Sequence, residues 1–231
     1  MTVIDFHSHI LPKADHGCGS ESESLSQLAL LQKAGVDTVV ATSHFYPNRH
    51  NVEQFKHITK EALESILQFN TEDRPRIALG AEVLIFENLD RMDGIEELCI
   101  EGTRVMLVEM PMTDVWSDAL LGTVKRLIKK DIVVVLAHID RYLPSHKEDI
   151  EYLLDIGAYA QINAKAFKRF LFKKHLAPFL CDERLVAFGS DLHGANEEAT
   201  SNFADLKKLK DNVFESVMER SCELLKNAKL Y

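Results

Sequence analysis

Six short apolar runs in this sequence end in histidine, glutamate or aspartate, the side chains that bind divalent metal ions and move protons. The first leads into Asp5-Phe6-His7-Ser8-His9 and the second into Ala41-Thr42-Ser43-His44. Glu82 lies in Gly80-Ala81-Glu82-Val83, Glu109 closes Leu107-Val108-Glu109 before Met110-Pro111, and His138 follows Leu136-Ala137. Asp191 and His193 sit in Gly189-Ser190-Asp191-Leu192-His193. On a strand, residues two apart face the same side, so His7 and His9 can offer both imidazoles to one ion. A lone His-x-His or a lone carboxylate at a strand end is as readily a solvated loop residue or a helix cap. Repetition at six strand ends makes six unrelated roles improbable. Mixed imidazole and carboxylate donors suit Mn²⁺, Fe or Zn²⁺ better than Ca²⁺.

These residues need elements that converge. The apolar runs are Thr2 to Phe6, Thr38 to Thr42, Ile77 to Val83, Arg104 to Val108, Ile132 to Ala137, Tyr159 to Ile162 and Leu185 to Gly189. Helical spacing fills the gaps over Glu21 to Ala34, Val52 to Phe69, Trp116 to Lys130, Lys147 to Ile156 and Phe203 to Asn227, with a break near Asp211 in the last. Alternation of this kind predicts βα units around a parallel sheet of seven strands. Parallel barrel strands deliver their C-terminal ends to one face, and Pro12, Gly17, Gly19, Pro47 and Pro111 punctuate the loops expected there.

With 231 residues, 46% hydrophobic and 27% charged, one globular domain over residues 1–231 is expected. A net charge of −9 with no basic face argues against binding a nucleic-acid backbone, so an anionic substrate would need local positive charge, which metal ions supply. Cys18, Cys99, Cys181 and Cys222 lie far apart and form no CxxC pair, which predicts reduced thiols. The start, MTVIDFHSH, has no signal-peptide pattern, and no apolar stretch approaches the roughly 20 residues of a bilayer span. A cytoplasmic protein without membrane insertion is expected.

The segments DFHSHILP, ATSHFYP, GAEV, VEMP, AHIDR and GSDLH together resemble the polymerase and histidinol phosphatase (PHP) superfamily, above all its capsule- and exopolysaccharide-associated protein tyrosine phosphatases. The resemblance spans residues 4 to about 194. It implies an α/β fold of the PHP type, a distorted seven-stranded (β/α) barrel related to the TIM barrel. It also implies a centre of three metal ions, with manganese first and iron or zinc as alternatives. His7, His9, Glu82 and Asp191 would hold the first ion, and Glu82, Glu109 and His138 the second. His44 and His193 would hold the third with one ligand from the loop after HILP. The phosphatases read Asp-Asp-Gly there, with the second Asp as ligand. This chain reads Asp15-His16-Gly17, so His16 takes the ligand's place and Asp15 is the alternative.

The phosphatases' His-Pro-Glu-Arg motif stands as His138-Ile139-Asp140-Arg141, which keeps the arginine. Their further arginine after the Ser-Asp-x-His segment has no counterpart in GANEEATSNF. Arg141 is therefore the expected phosphate clamp, with His44 or Asp191 as proton relay. No cysteine heads a CxxxxxR loop, so thiol-based phosphatase chemistry is not expected. The implied substrate is a phosphotyrosine protein, a bacterial tyrosine kinase that controls polysaccharide export. A small phosphomonoester such as histidinol phosphate, a sugar phosphate or a nucleotide is the alternative, and an oligomer is compatible with either. Metal-dependent amidohydrolases also begin with His-x-His, but they usually place a lysine where this chain has Glu109, and Lys165 follows the sixth run instead. A silent metal-binding regulatory module is the remaining rival. His50, His57, His146 and His175 read as solvated surface residues. Trp116, Phe167, Phe170 and Phe172 read as packing residues, and Lys168 to Lys174 as a solvated helix face.

Overall fold

The computed structural model describes residues 1–69, 74–143, 145–168, 170–209 and 212–231. Ten strands occur among them: β1 Ile4–His9, β2 Thr38–Ala41, β3 His44–Phe45, β4 Arg76–Leu79, β5 Glu82–Leu84, β6 Val105–Glu109, β7 Val133–Leu136, β8 Tyr159–Asn163, β9 Leu185–Gly189 and β10 Leu192–His193. All named strands pair in parallel, in one sheet ordered β10-β1-β2-β4 and another ordered β3-β5-β6-β7-β8-β9. Parallel strands are covered on both faces, which is why the runs are apolar throughout. Val39, Val40, Ile77, Ala78, Met106, Leu107, Val134, Val135, Ala187 and Phe188 are all fully buried.

The expected count of seven strands is corrected to ten. One predicted run, Ile77 to Val83, is broken at Gly80-Ala81, and two others, Thr38 to Thr42 and Leu185 to Gly189, are followed past Thr42-Ser43 and Ser190-Asp191 by a further short strand, the chain resuming in the other sheet each time. Backbone bonds bridge the breaks: Thr42 N–H donates to Ser8 O at 2.9 Å, Gly80 N–H to Ala41 O at 3.0 Å and Asp191 N–H to His7 O at 2.8 Å. The interruptions fall at or just before His44, Glu82 and Asp191, residues that face the centre described below. An ordinary strand shows alternate residues to opposite faces, and a local kink re-aims the next side chain.

Seven α-helices are described: α1 Glu21–Lys33, α2 Val52–Leu67, α3 Asp118–Lys129, α4 Lys147–Asp155, α5 Phe170–Leu180, α6 Glu197–Asp205 and α7 Val213–Leu224. Their starts carry local signals. Ser20 and Ser117 accept from backbone N–H groups three residues on, and Asn51 with Gln54 forms a reciprocal capping box over α2. The expected helix from Phe203 to Asn227 is instead the end of α6, a 3-10 turn over Leu206–Lys208 and α7. The break placed near Asp211 lies outside the described residues. α5 takes in the Lys168 to Lys174 segment from Phe170 on, and the side chains of 170–174, including Phe170 and Phe172, lie outside the described residues.

Candidate metal centre

β1 continues through His9 instead of ending at Phe6, so His7 and His9 alternate with Phe6 and Ser8 and share one face. Their Nε2 atoms are 3.1 Å apart and lie 3.1 and 3.2 Å from Glu82 Oε2. Glu82, the first residue of β5, is the hub of the cluster. His44 Nδ1 lies 3.0 Å from the same oxygen, and His138 Nε2 lies 2.9 Å from Oε1. Glu109, at the end of β6, is 3.8 Å from His44 Nδ1 and 3.7 Å from His138 Nε2. Asp191 Oδ1 lies 3.8 and 3.7 Å from Nε2 of His7 and His9, and 3.5 Å from His193 Nδ1. Three donor sets gather within 4.8 Å: His7, His9 and Glu82; His44, Glu82 and Glu109; and His9, His44 and His193. His138 and Asp191 reach the cluster with φ of 32° and 51°, in the left-handed region that non-glycine residues seldom adopt.

The electrostatics are those of a site built for cations. Burial alone would push the Glu82 carboxyl up, yet His7, His138 and His44, each with a ring nitrogen within 3.1 Å of its oxygens, hold it well below the usual carboxylate range. Asp191 is likewise held low against its burial, by His7, Arg141, Lys165 and His9. Burial pushes Glu109 up, and the neighbouring Glu82 charge pushes it further. For His9, burial works downward, but Asp15 and Glu82 overcome it and raise the imidazole to about 10. His138 and His193 go the other way, to about 4, chiefly through burial. Two carboxylates this close repel unless a cation lies with them. Buried Glu82 Oε2, His44 Nδ1 and His193 Nε2 make no well-formed hydrogen bond. Unpaired buried donors and acceptors at 3 Å spacing, drawn from imidazoles and carboxylates, fit divalent metal ions.

Outside the donors lies a ring of residues that aim them. Asp15 Oδ2 sits 2.7 Å from His9 Nδ1 and accepts the His44 backbone N–H at 2.8 Å, while Oδ1 accepts from Gly17 N–H at 2.8 Å. Asp15 thus serves His9 and its own loop. His16 is exposed, and its ring stands 5.0 Å from that of His44, nearly parallel, and 4.7 Å from that of His193. It is in none of the three donor sets. Gly17 is required at its position, because a Cβ there would lie 2.2 Å from His9 Cβ.

Sequence reasoning missed part of this ring. Gln161 Oε1 accepts the His138 backbone N–H at 2.6 Å and lies 3.3 Å from His7 Nδ1. Its amide donates to Asn163 Oδ1 at 3.0 Å, and Asn163 in turn donates to Asp191 Oδ2 at 2.9 Å. Asp5 accepts both the backbone N–H and the hydroxyl of Ser190, at 2.8 and 2.6 Å, and so ties β1 to the Asp191 turn. A buried polar residue inside an apolar run, as in Tyr159-Ala160-Gln161-Ile162, was the available signal for Gln161. The same run supplies Lys165 just beyond its end, and its Nζ lies 3.1 Å from Asp191 Oδ2. Arg141 also pairs with Asp191 Oδ2 through Nη2. Both cations line a cleft of about 510 Å³ beside the cluster.

His146 is corrected from surface to interior. Its ring stacks on buried Trp116 with centroids 4.0 Å apart, Nε2 lies 2.7 Å from Thr113 O and Nδ1 lies 3.1 Å from Asp149. With Tyr142, whose hydroxyl donates to Met110 O and accepts from Met110 N–H at 2.9 Å each, it holds the loop after Glu109 against the turn that carries Arg141. His57 and His175 are exposed and His50 is partly so.

A family model described as capsular polysaccharide synthesis, CpsB/CapC, matches residues 3–227. The tyrosine-protein phosphatase CpsB of Streptococcus pneumoniae is 30% identical over 213 residues, covering 83% of each chain. The tyrosine-protein phosphatase YwqE of Bacillus subtilis is 27% identical over 215 residues, covering 87% of this chain and 80% of that one. Among solved structures, one from the work on YwqE and CpsB as metal-dependent tyrosine phosphatases superposes with a TM-score of 0.81 at 19% identity, over 99% of this chain and 96% of its own. Dihydropyrimidinase from Brevibacillus agri shares the fold more distantly, with a TM-score of 0.53 at 12% identity, over 97% of this chain and 70% of its own.

Proposed function

The chain belongs to the CpsB/CapC family of capsular polysaccharide synthesis, and from that premise we propose that it is a metal-dependent protein-tyrosine phosphatase. Its substrate is a phosphotyrosine protein, a bacterial tyrosine kinase of capsule or exopolysaccharide export, and it works in the cytoplasm. The carrying observation is the Glu82 hub, where four imidazoles meet one buried carboxylate with two further carboxylates beside them. Residues 1–231 act as a single phosphoesterase domain. Chain continuity from β2 to β3, β4 to β5 and β9 to β10 supports reading the two sheets as one distorted barrel of PHP type.

We assign His7, His9, Glu82 and Asp191 to one ion, Glu82, Glu109 and His138 to a second, and His44, His193 and His16 to a third, with manganese the leading candidate. Ions held there supply Lewis acidity toward a phosphoryl group and an attacking water. Arg141, at the edge of the centre, binds phosphoryl oxygens and aligns the ester. His44, partly exposed at 9%, and Asp191 are the side chains placed to carry a proton to or from the reacting oxygens. A phenolate, with a pKa of about 10, leaves with less help from an acid than an alkoxide does. The expected result is therefore a kcat/KM at least about tenfold higher for a phosphotyrosine peptide than for histidinol phosphate, a sugar phosphate or a nucleotide, with the same metal loaded. A tenfold preference for one of the latter would reassign the substrate to a small phosphomonoester.

The Asp15-His16 pair yields a second expectation. Asp15 already holds His9 Nδ1 and two backbone N–H groups, which leaves His16 as the loop's donor toward His44 and His193. His16→Ala should lose one metal equivalent. Asp15→Asn should keep full stoichiometry at saturating metal while weakening affinity roughly 10–100-fold, as loss of an outer partner does. Metal analysis of both variants after equilibrium dialysis checks this, and the reverse pattern would make Asp15 the ligand.

A further inference from the structure

Asp191 divides its two oxygens between two tasks. Oδ1 faces His7, His9 and His193, whereas Oδ2 takes Arg141, Lys165 and the Asn163 amide. Lys165 and Arg141 therefore flank the same edge of the centre, one from the 3-10 turn Ala164–Lys168 and the other from the turn Ile139–Arg141. The Asp191 carboxylate is buried, but the Lys165 side chain is 50% exposed, and it lines the cleft of about 510 Å³ together with Arg141, Lys168, Ser190 and His193. An ammonium has three N–H donors, and Asp191 occupies one direction. A phosphate monoester brings two negative charges and three terminal oxygens to this edge, more than one guanidinium can pair with. The segment after His193, GANEEATSNF, brings no arginine to help. Lys168, farther along the same turn, lies 3.6 Å from Glu198.

We propose that Lys165 is a second phosphoryl-binding cation of this cleft, acting with Arg141 on the substrate's terminal oxygens. The inference rests on the phosphatase reading above. It implies a substrate phosphoryl group gripped between a forked guanidinium and a point charge, which tolerates small shifts of the leaving group that two rigid forks would not.

The test uses the manganese-loaded full chain, with inorganic phosphate as the binding probe and 4-nitrophenyl phosphate as substrate. Lys165→Met should weaken phosphate binding and raise KM by about tenfold or more, as loss of a hydrogen bond to a charged group does, with metal content and melting temperature unchanged. Lys165→Arg should restore most of both. Phosphate binding by Lys165→Met equal to wild type would overturn the inference and leave the phosphatase reading standing. Loss of a metal ion in that variant would overturn it too, because the lysine would then act through the centre. A wild-type protein that binds phosphate in a Lys165-dependent way but hydrolyses no ester would keep the lysine's role and sink the reaction. One that neither binds nor hydrolyses would sink both.

Discussion

Stripping divalent ions from this protein is expected to abolish its hydrolysis of aryl phosphates, and restoring manganese is expected to return it. The three donor sets that gather around Glu82 consist of imidazoles and carboxylates alone, with Asp15 holding His9 and Arg141 paired with Asp191 beside them. The thiols offer no substitute. Cys18 and Cys99 are buried, and burial pushes both thiols up to about 11, so neither provides thiolate at neutral pH. Cys18 donates instead to Ser20 O at 3.3 Å. Cysteine alkylation of the metal-loaded protein should accordingly leave turnover intact. Activity surviving in a rigorously metal-free preparation would show that the donors serve some other end.

Replacing Glu82 by glutamine should cost on the order of 10³-fold or more in kcat/KM, well beyond the roughly 10–100-fold typical of outer partners. The substitution keeps shape and removes charge. Glu82 is the carboxylate within 3.2 Å of His7, His9, His44 and His138, so one change withdraws an anionic donor from two of the three donor sets. A glutamine amide would also turn N–H donors toward imidazoles that must present lone pairs to an ion. Metal content by mass spectrometry of the folded variant and steady-state kinetics check this together. Full metal stoichiometry with activity within tenfold of wild type would remove Glu82 from the hub.

Most of the residues that cluster around Glu82 could be picked out in the sequence because they stand at or near the end of an apolar run, a feature that needs no knowledge of packing. His7 and His9 show it most clearly, since strand periodicity alone puts both imidazoles on one face. The breaks within the strands could not be read in the same way. They depend on which sheet supplies the next hydrogen bond and on the left-handed turn at Asp191, and only Gly80 inside its run hinted at one. The roles of Gln161, inside the sixth run, and of Asn163 and Lys165, just after it, could not be read for a related reason: that run ends without histidine or carboxylate, and the roles arise through Asp191 and His138, more than 20 residues away. His146 resembled a surface histidine because its partner Trp116 is 30 residues distant and reaches it through tertiary packing alone. Local polarity carries no record of such a contact.

The central claim is that the side chains around Glu82 assemble a multinuclear metal centre that grips a phosphoryl group. Anomalous scattering from crystals grown with manganese and soaked in phosphate tests it most directly, because it counts the ions and places the anion in one experiment. The account predicts three ions among His7, His9, His16, His44, Glu82, Glu109, His138, Asp191 and His193, with phosphate between them and Arg141. No ion on these residues, or a phosphate bound away from the Arg141 edge, would contradict it.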